Sequence, residues 1–173
     1  MSIINENIIN KFCYINKKTK VIKLNYNIIK NTIDFNNYNI FSERLFKIIN
    51  KGLEIEKTLI LHINLYNLSL SDIDKHYKYI CFIVNLLNQN YPNKLNTCYI
   101  YESSFIFNTL YSILSKIIDK KTKEKIVFVE TNFEDDNDDD IDKLYDIDID
   151  DNLKDNNDNI DNKITTEPNL IIN

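Results

Sequence analysis

Residues 58–65 read TLILHINL, a nearly continuous apolar run of strand length. A strand with one solvated face alternates between apolar and polar side chains, so a continuous run fits a strand covered on both faces. We read it as the central strand of a sheet. Two shorter runs follow at 97–101 (TCYIY) and 125–129 (KIVFV). Between the first and second, Ile73, Tyr77, Ile80, Val84 and Leu87 recur at steps of four, three, four and three, which predicts an amphipathic helix over 71–90. Ser69 and Asp72 supply a capping pattern at its start, and Tyr91-Pro92 breaks it. Between the second and third runs, Ser103 or Ser104 caps a helix over 105–118. Its apolar positions form two adjoining stripes, 106, 110, 113, 117 and 107, 111, 114, 118. Such a broad face has more to bury than one side of a sheet requires. Strand, helix, strand, helix, strand makes two crossover units, and crossovers of this kind join parallel strands with a right-handed sense. The fold class is α/β, a mostly parallel sheet flanked by helices.

Working outward toward the N-terminus, 40–53 (IFSERLFKIINKGL) carries Ile40, Leu45, Ile48 and Ile49 on one helical face, with Ser42 as cap and Gly52 as stop. Before it, 12–15 and 21–26 read as two short strands around the polar turn Asn16-Lys17-Lys18-Thr19-Lys20. Toward the C-terminus the pattern ends. Residues 1–133 hold 18 Lys+Arg against 11 Asp+Glu, a net +7, whereas 134–173 hold 3 against 15, a net −12. So dense an acidic run cannot form a core, and 131–173 is expected to be a disordered acidic tail. Asp146, Asp148 and Asp150 resemble the start of a calcium loop, but its turn glycine and twelfth-position Glu are missing. The resulting division is a lead-in at 1–19, a folded domain at 20–130 and the tail at 131–173.

Composition excludes several chemistries. A single glycine, Gly52, and two prolines leave no glycine-rich phosphate loop. Cys13, Cys81 and Cys98 are odd in number, widely spaced and set in apolar runs, which fits buried thiols and not disulfides or a zinc site. His62 falls in a buried strand and His76 on a helix, where it is expected to face solvent. Neither has metal-ligand partners at useful spacing, and no serine sits in a nucleophile-elbow pattern. No apolar run reaches the roughly 18 residues of a membrane span, and the N-terminus lacks a signal-peptide pattern. The lysines are scattered, which argues against nucleic acid. A cytoplasmic, soluble, non-catalytic protein without cofactor or metal is expected.

The run 89–129, QNYPNKLNTCYIYESSFIFNTLYSILSKIIDKKTKEKIVFV, resembles the core of the CRAL-TRIO family, which includes phosphatidylinositol/phosphatidylcholine transfer proteins and the retinaldehyde and tocopherol carriers. The family's order of elements is an apolar strand with a small polar turn (LILHINLYNLSL), an amphipathic helix, Tyr-Pro with a basic-Leu pair, an aromatic strand, an aromatic-rich helix and a Lys-Ile strand. All occur here in that order from 58 to 129. The resemblance implies a lipid-binding fold in reduced form, without the preceding helical domain and the gate helix that relatives carry. In members that bind phosphatidylinositol, a Glu after Tyr-Pro and the Lys opening the last strand meet around the inositol phosphate. The matching positions are Asn93, which keeps polarity but not charge, and Lys125, suited to a phosphate as a point charge.

Two function classes follow. In the first, the chain binds a lipid or other hydrophobic small molecule, with transient contact to a membrane surface. Asn93 and Lys125 would address the head group, and Tyr99, Tyr101, Phe105, Phe107 and Phe128 are candidates for the pocket wall. In the second, it is an interaction scaffold resembling the divergent CRAL-TRIO domains of Rho-type GTPase-activating proteins, with a small GTPase-type protein partner and no lipid transfer. A deep cavity favours the first; a solid core with exposed aromatics favours the second.

Overall fold

The computed structural model of the chain describes residues 6–101, 104–129 and 133, without the side chains of 104, 105 and 107. Of the expected tail at 131–173, all but Phe133 lies outside these residues. Among them, five strands form one sheet in chain order: β1 (Cys13–Ile15), β2 (Ile22–Asn25), β3 (Leu59–Asn64), β4 (Leu95–Tyr101) and β5 (Ile126–Val129). The helices are α1 (Glu6–Phe12), α2 (Tyr26–Ile29), α3 (Tyr38–Ile55), α4 (Leu70–Asn90), α5 (Ser104–Ile117) and α6 (Lys120–Lys123). β1 and β2 pair antiparallel, and β2 through β5 are parallel. The class read from the periodicity is the observed one.

The first pair closes through a side chain. Asn16 Oδ1 accepts the backbone N–H groups of Lys18 and Thr19 at 2.9 and 2.8 Å, and Lys20 completes the turn at φ 60°. The three parallel connections then step across the sheet in one direction. Right-handed crossovers between successive neighbours set their helices on the same face. That face carries Ile22, Leu59, Leu61, Ile63, Cys98 and Ile100, which share one side through the registers Ile22↔Leu61, Leu61↔Cys98 and Ile63↔Ile100. The opposite face carries Lys23, His62, Tyr99, Tyr101 and Val127.

Packing is tightest where α3 meets β1 and β2. Phe41, Cys13, Ile15 and Ile22 are almost wholly inaccessible, and Phe12 meets Phe41 edge-on at 5.2 Å. Arg44 donates from Nε to the Cys13 carbonyl at 3.1 Å, so the buried guanidinium ties helix to strand. α3 differs from its sequence reading in three ways. Asn37, not Ser42, stands at its N-cap position; Ser42 is buried inside the helix, where its hydroxyl donates to the Tyr38 carbonyl. Ile40 is exposed, and Phe41 takes the core position. Gly52 does not stop the helix, which runs on to Ile55. A Cβ at Gly52 would stand 2.8 Å from Leu59 Cδ2 and 3.1 Å from Ile22 Cδ1, so the glycine is there for close approach to the sheet.

α4 starts as read, with a reciprocal capping box between Ser69 and Asp72. Lys30 adds an ion pair to Asp72 at 3.5 Å. Two positions on this helix trade places with expectation. Tyr77 is 44% exposed, whereas His76 is 4% exposed, with the Tyr38 hydroxyl 2.6 Å from its Nδ1 in a hydrogen bond. Tyr38 stacks on Tyr79 at 4.1 Å, and the Tyr79 hydroxyl bonds Ser42 at 2.9 Å. This polar seam joins α3 to α4, and a helical-face count cannot recognise a histidine satisfied by another helix. Burial, with Lys75 nearby, lowers the His76 pKa, against an opposing pull from Asp72. β3 is central as expected, yet most of its side chains are only half-buried on either face. Cover is incomplete on both sides.

Candidate functional site

On the helix-covered face, β3, β4, α4 and α5 do not close together. Between them lies a cavity of about 610 Å³. Its floor is Leu61, Ile63, Cys98 and Ile100, its walls are Val84 and Leu87 of α4 and Leu114 and Ile118 beside them, and Leu59, Leu95 and Ile126 ring its entrance end. The lining is aliphatic because these are the sheet-facing stripes of two helices set against alternate residues of two strands. Asn88 donates to the Ile117 carbonyl at 3.0 Å, which pins the end of α4 to the end of α5 above the cavity.

The entrance is polar. After α4, the chain turns through Tyr91-Pro92-Asn93-Lys94, with the Lys94 N–H donating to the Tyr91 carbonyl at 3.2 Å. Pro at the second position and Asn93 at φ 60° in the third match a type II turn, where the third residue must be left-handed. Asn is tolerated there, so this residue has a backbone reason besides any role toward a ligand. Tyr91 also lines the cavity; its hydroxyl donates to Asn50 Oδ1 at 2.8 Å and burial raises its pKa. Opposite the turn, α6 is capped by Asp119, whose carboxylate accepts from the Thr122 N–H and hydroxyl at 2.9 and 2.7 Å. Those bonds hold the Asp119 carboxyl below its ordinary value. The cap sets Lys120 and Lys121 on the rim, beside Lys125 and facing Lys94.

Lys125 donates from Nζ to the Leu95 carbonyl at 2.6 Å, while its own carbonyl accepts the Cys98 N–H. An ammonium has three donors, and this contact uses one while fixing the charge over the entrance. Asn93 and Lys125, distant in sequence, thus line one cavity.

The aromatic candidates are placed differently. Tyr99 and Tyr101 lie on the opposite face of the sheet, away from this cavity. There they flank His62, with ring centroids at 4.9 and 5.6 Å, and the Tyr101 hydroxyl is 2.9 Å from His62 Nδ1 in a hydrogen bond. Phe133 packs edge-on against Tyr101 at 5.2 Å, with Lys23 Nζ over its ring. Phe128 pairs with Ile100 across β4 and β5 without lining the cavity. The side chains of Phe105 and Phe107 lie outside the described residues. Sequence reasoning missed the aliphatic lining and the rim lysine Lys120. Strand parity divides Cys98 and Ile100 from Tyr99 and Tyr101, but it does not say which set faces the helices.

The two buried thiols, Cys13 and Cys98, are both pushed up to about 12 by burial, which leaves them unreactive. Cys81 is half-buried. Among the described residues, no group of three or more His, Cys, Asp or Glu is arranged to hold a metal, and no helix is long and apolar enough to cross a membrane.

The profile of the CRAL/TRIO domain matches residues 35–149. A solved structure described as the crystal structure of Sfh5 is similar at a TM-score of 0.60 and 18% identity, over 73% of this chain and 50% of that one. The chain therefore spans half the length of that structure, and the likeness is one of fold. No curated protein matches it.

Proposed function

This chain belongs to the CRAL/TRIO domain family, a lipid-binding family, and on that premise we propose that it is a non-catalytic binder of a lipid or similar hydrophobic molecule, held in the cavity between β3, β4, α4 and α5. The observation that carries this reading is the cavity itself, lined mainly by aliphatic side chains and basic at its mouth. Hydrocarbon placed against such walls gains about 0.8 kcal/mol per methylene removed from water. The rim lysines, with Lys125 pre-positioned by the Leu95 carbonyl, attract an anionic head group and fix which end of the ligand faces out. Asn93 contributes an amide at the same mouth. Release at a membrane surface follows from the same charges, since anionic lipid heads compete for the rim.

Native mass spectrometry of the protein after incubation with mixed-lipid vesicles tests the proposal. A retained lipid, lost more readily from Lys125→Ala, is the expected result. No retained or exchangeable lipid would sink it.

A separate observation favours the scaffold reading. On the far face, Val127 is 42% exposed beside the half-buried Tyr99, so apolar area on β4 and β5 is accessible to a protein partner. Replacing Val127 with Asp distinguishes the two: it should leave lipid retention intact, and would abolish a protein contact made through this face.

A further inference from the structure

On the face opposite the crossover helices, one aromatic ring stands far from the strand it follows. β5 is an edge strand, yet Phe133, four residues past its end, packs edge-on against Tyr101 of β4 at 5.2 Å. Lys23 Nζ of β2 lies 5.1 Å from the centroid of the same ring. β2 is three strand spacings from β5, about 14 Å. Phe133 thus lies back over the sheet, toward its opposite edge. The contact with Lys23 is one that holds: an ammonium within about 6 Å of an aromatic centroid is attracted to the ring face. Lys23 is only 9% exposed.

Charge is one-sided at both ends of this contact. From Asn7 to Ile33 the sequence has six lysines and no Asp or Glu. Lys30 is paired with Asp72, whereas Lys17, Lys18, Lys20 and Lys23 gather on β2 and the turn that precedes it. Directly after Phe133 comes EDDNDDD, residues 134–140, with six carboxylates and no base. Seven residues extend up to about 25 Å. Lys20 is three residues from Lys23, about 10 Å of extended chain. The acids can reach every lysine of the turn.

We propose that the basic hairpin β1–β2 is a docking surface whose occupant is this chain's own acidic run, 134–140, anchored by Phe133. Tethering decides the choice of partner. A segment joined so closely meets the hairpin at an effective concentration in the millimolar range, which an acidic segment of another molecule does not match. The lysines of the cavity mouth stand beside β4 and β5, and Phe133 already reaches past those strands to β2. The docked run keeps other polyanions off the hairpin and leaves the cavity mouth open to them, whatever the cavity holds.

Carbodiimide, which joins a carboxylate to an amine without a spacer, tests the contact on the full chain. Mixing isotope-labelled with unlabelled protein separates links within one molecule from links between two. Mass spectrometry should find internal links from 134–140 to Lys17, Lys18, Lys20 or Lys23 at least fivefold more often than to Lys94, Lys120 or Lys121. Raising the ionic strength from about 0.01 M to about 1 M shortens the screening length from about 30 Å to about 3 Å, and the hairpin links should fall at least threefold. Phe133→Ala should lower them at least threefold, and Phe133→Tyr should not. Links that are absent, or that run mainly to the cavity mouth or between molecules, overturn the proposal; hairpin links indifferent to Phe133→Ala overturn the anchor.

Occlusion is read separately, with a decaglutamate peptide as probe and NMR at the backbone amides of each site. Replacing Glu134 with Gln, and Asp135, Asp136, Asp138, Asp139 and Asp140 with Asn, should tighten the probe's binding at the hairpin amides at least tenfold. At the amides of Lys120 and Lys121 the change should stay under threefold. Equal changes at the two sites would reflect altered net charge alone and would overturn the docking.

Discussion

Around β1, β2 and α3, side chains fill the space to the exclusion of water, and Phe41 is 0% exposed. Across β4, α4 and α5, the same alternation of strand and helix leaves a cavity of about 610 Å³. The contrast has a local cause in the spacing of helix from sheet. α3 carries the chain's one glycine at the point where it crosses Ile22 and Leu59, which lets it lie close. α4 presents Val84 and Leu87 at the comparable place, and α5 presents Leu114. Side chains of that size hold the helices off the strands without reaching far enough to fill the gap. One half of the domain is a core, and the other is a container built from the same elements.

The largest expected effect tests whether the halves differ in energy as they do in packing. Phe41→Ala should cost about 3–5 kcal/mol in urea denaturation, because it opens a hole in a fully occupied region. Leu114→Ala, which enlarges space that is already empty, should cost well under half as much. Equal losses would mean that the cavity is closed in solution, and the comparison would break.

Gly52 sharpens the cause. Gly52→Leu should cost about 1–3 kcal/mol, since its side chain would enter space held by Leu59 and Ile22. Gly52→Ala should be nearly neutral: the gain in helix propensity, about 1 kcal/mol, offsets a contact that falls on the flexible end of Leu59. A severe loss for the alanine variant would show that α3 cannot move at all.

In the open half, the start of α4 is held by its capping box. Ser69→Ala should therefore cost about 1 kcal/mol, the typical contribution of such a cap, read from the thermal midpoint. The seam between the halves should also respond to acid. His76 is buried against Tyr38 and its folded pKa is lowered, so the unfolded chain takes up a proton that the folded chain resists. The associated stability is fully present above about 6.5, the value of the unfolded histidine, and declines as pH falls through that value toward the folded one. Asp72 does not blur this window. Burial alone would raise its carboxyl, but Ser69 and Lys30 hold it below the ordinary 3.8, so its contribution fades only in stronger acid. Urea midpoints taken between pH 7.5 and 5 should fall more steeply for the wild type than for His76→Gln; parallel slopes would remove His76 from the seam.

Much of this division was legible in the residues. The strand runs at 58–65, 97–101 and 125–129 and the helices between them are where periodicity places them, and Ser69 with Asp72 caps α4 as read. Tyr-Pro and Lys125, far apart in the chain, meet at one cavity mouth. What stayed hidden depends on three-dimensional partners. Gly52 looks like a helix stop until Ile22 and Leu59 are seen across from it, and His76 looks solvent-facing until Tyr38 supplies its hydrogen bond. Aromatic richness in β4 drew attention to Tyr99 and Tyr101, yet parity turns them to the far face and leaves Cys98 and Ile100 over the cavity. Periodicity separates two faces; only the crossover helices decide which face is which.

The smallest effect bears most directly on why the open half is open. Val84→Ile adds one methylene at the cavity wall, where there is room for it. Burying that group should raise stability by about 0.5–1 kcal/mol, visible as a modest rise in the urea midpoint. If the cavity serves a ligand, the same variant should hold a lipid chain less well, since the added methylene takes space from the cavity. Stability and ligand retention would then move in opposite directions from a single methylene, which no change in the packed half can produce. A variant that gains stability and loses no binding would show instead that the cavity is a packing defect, tolerated because the rest of the core is sufficient.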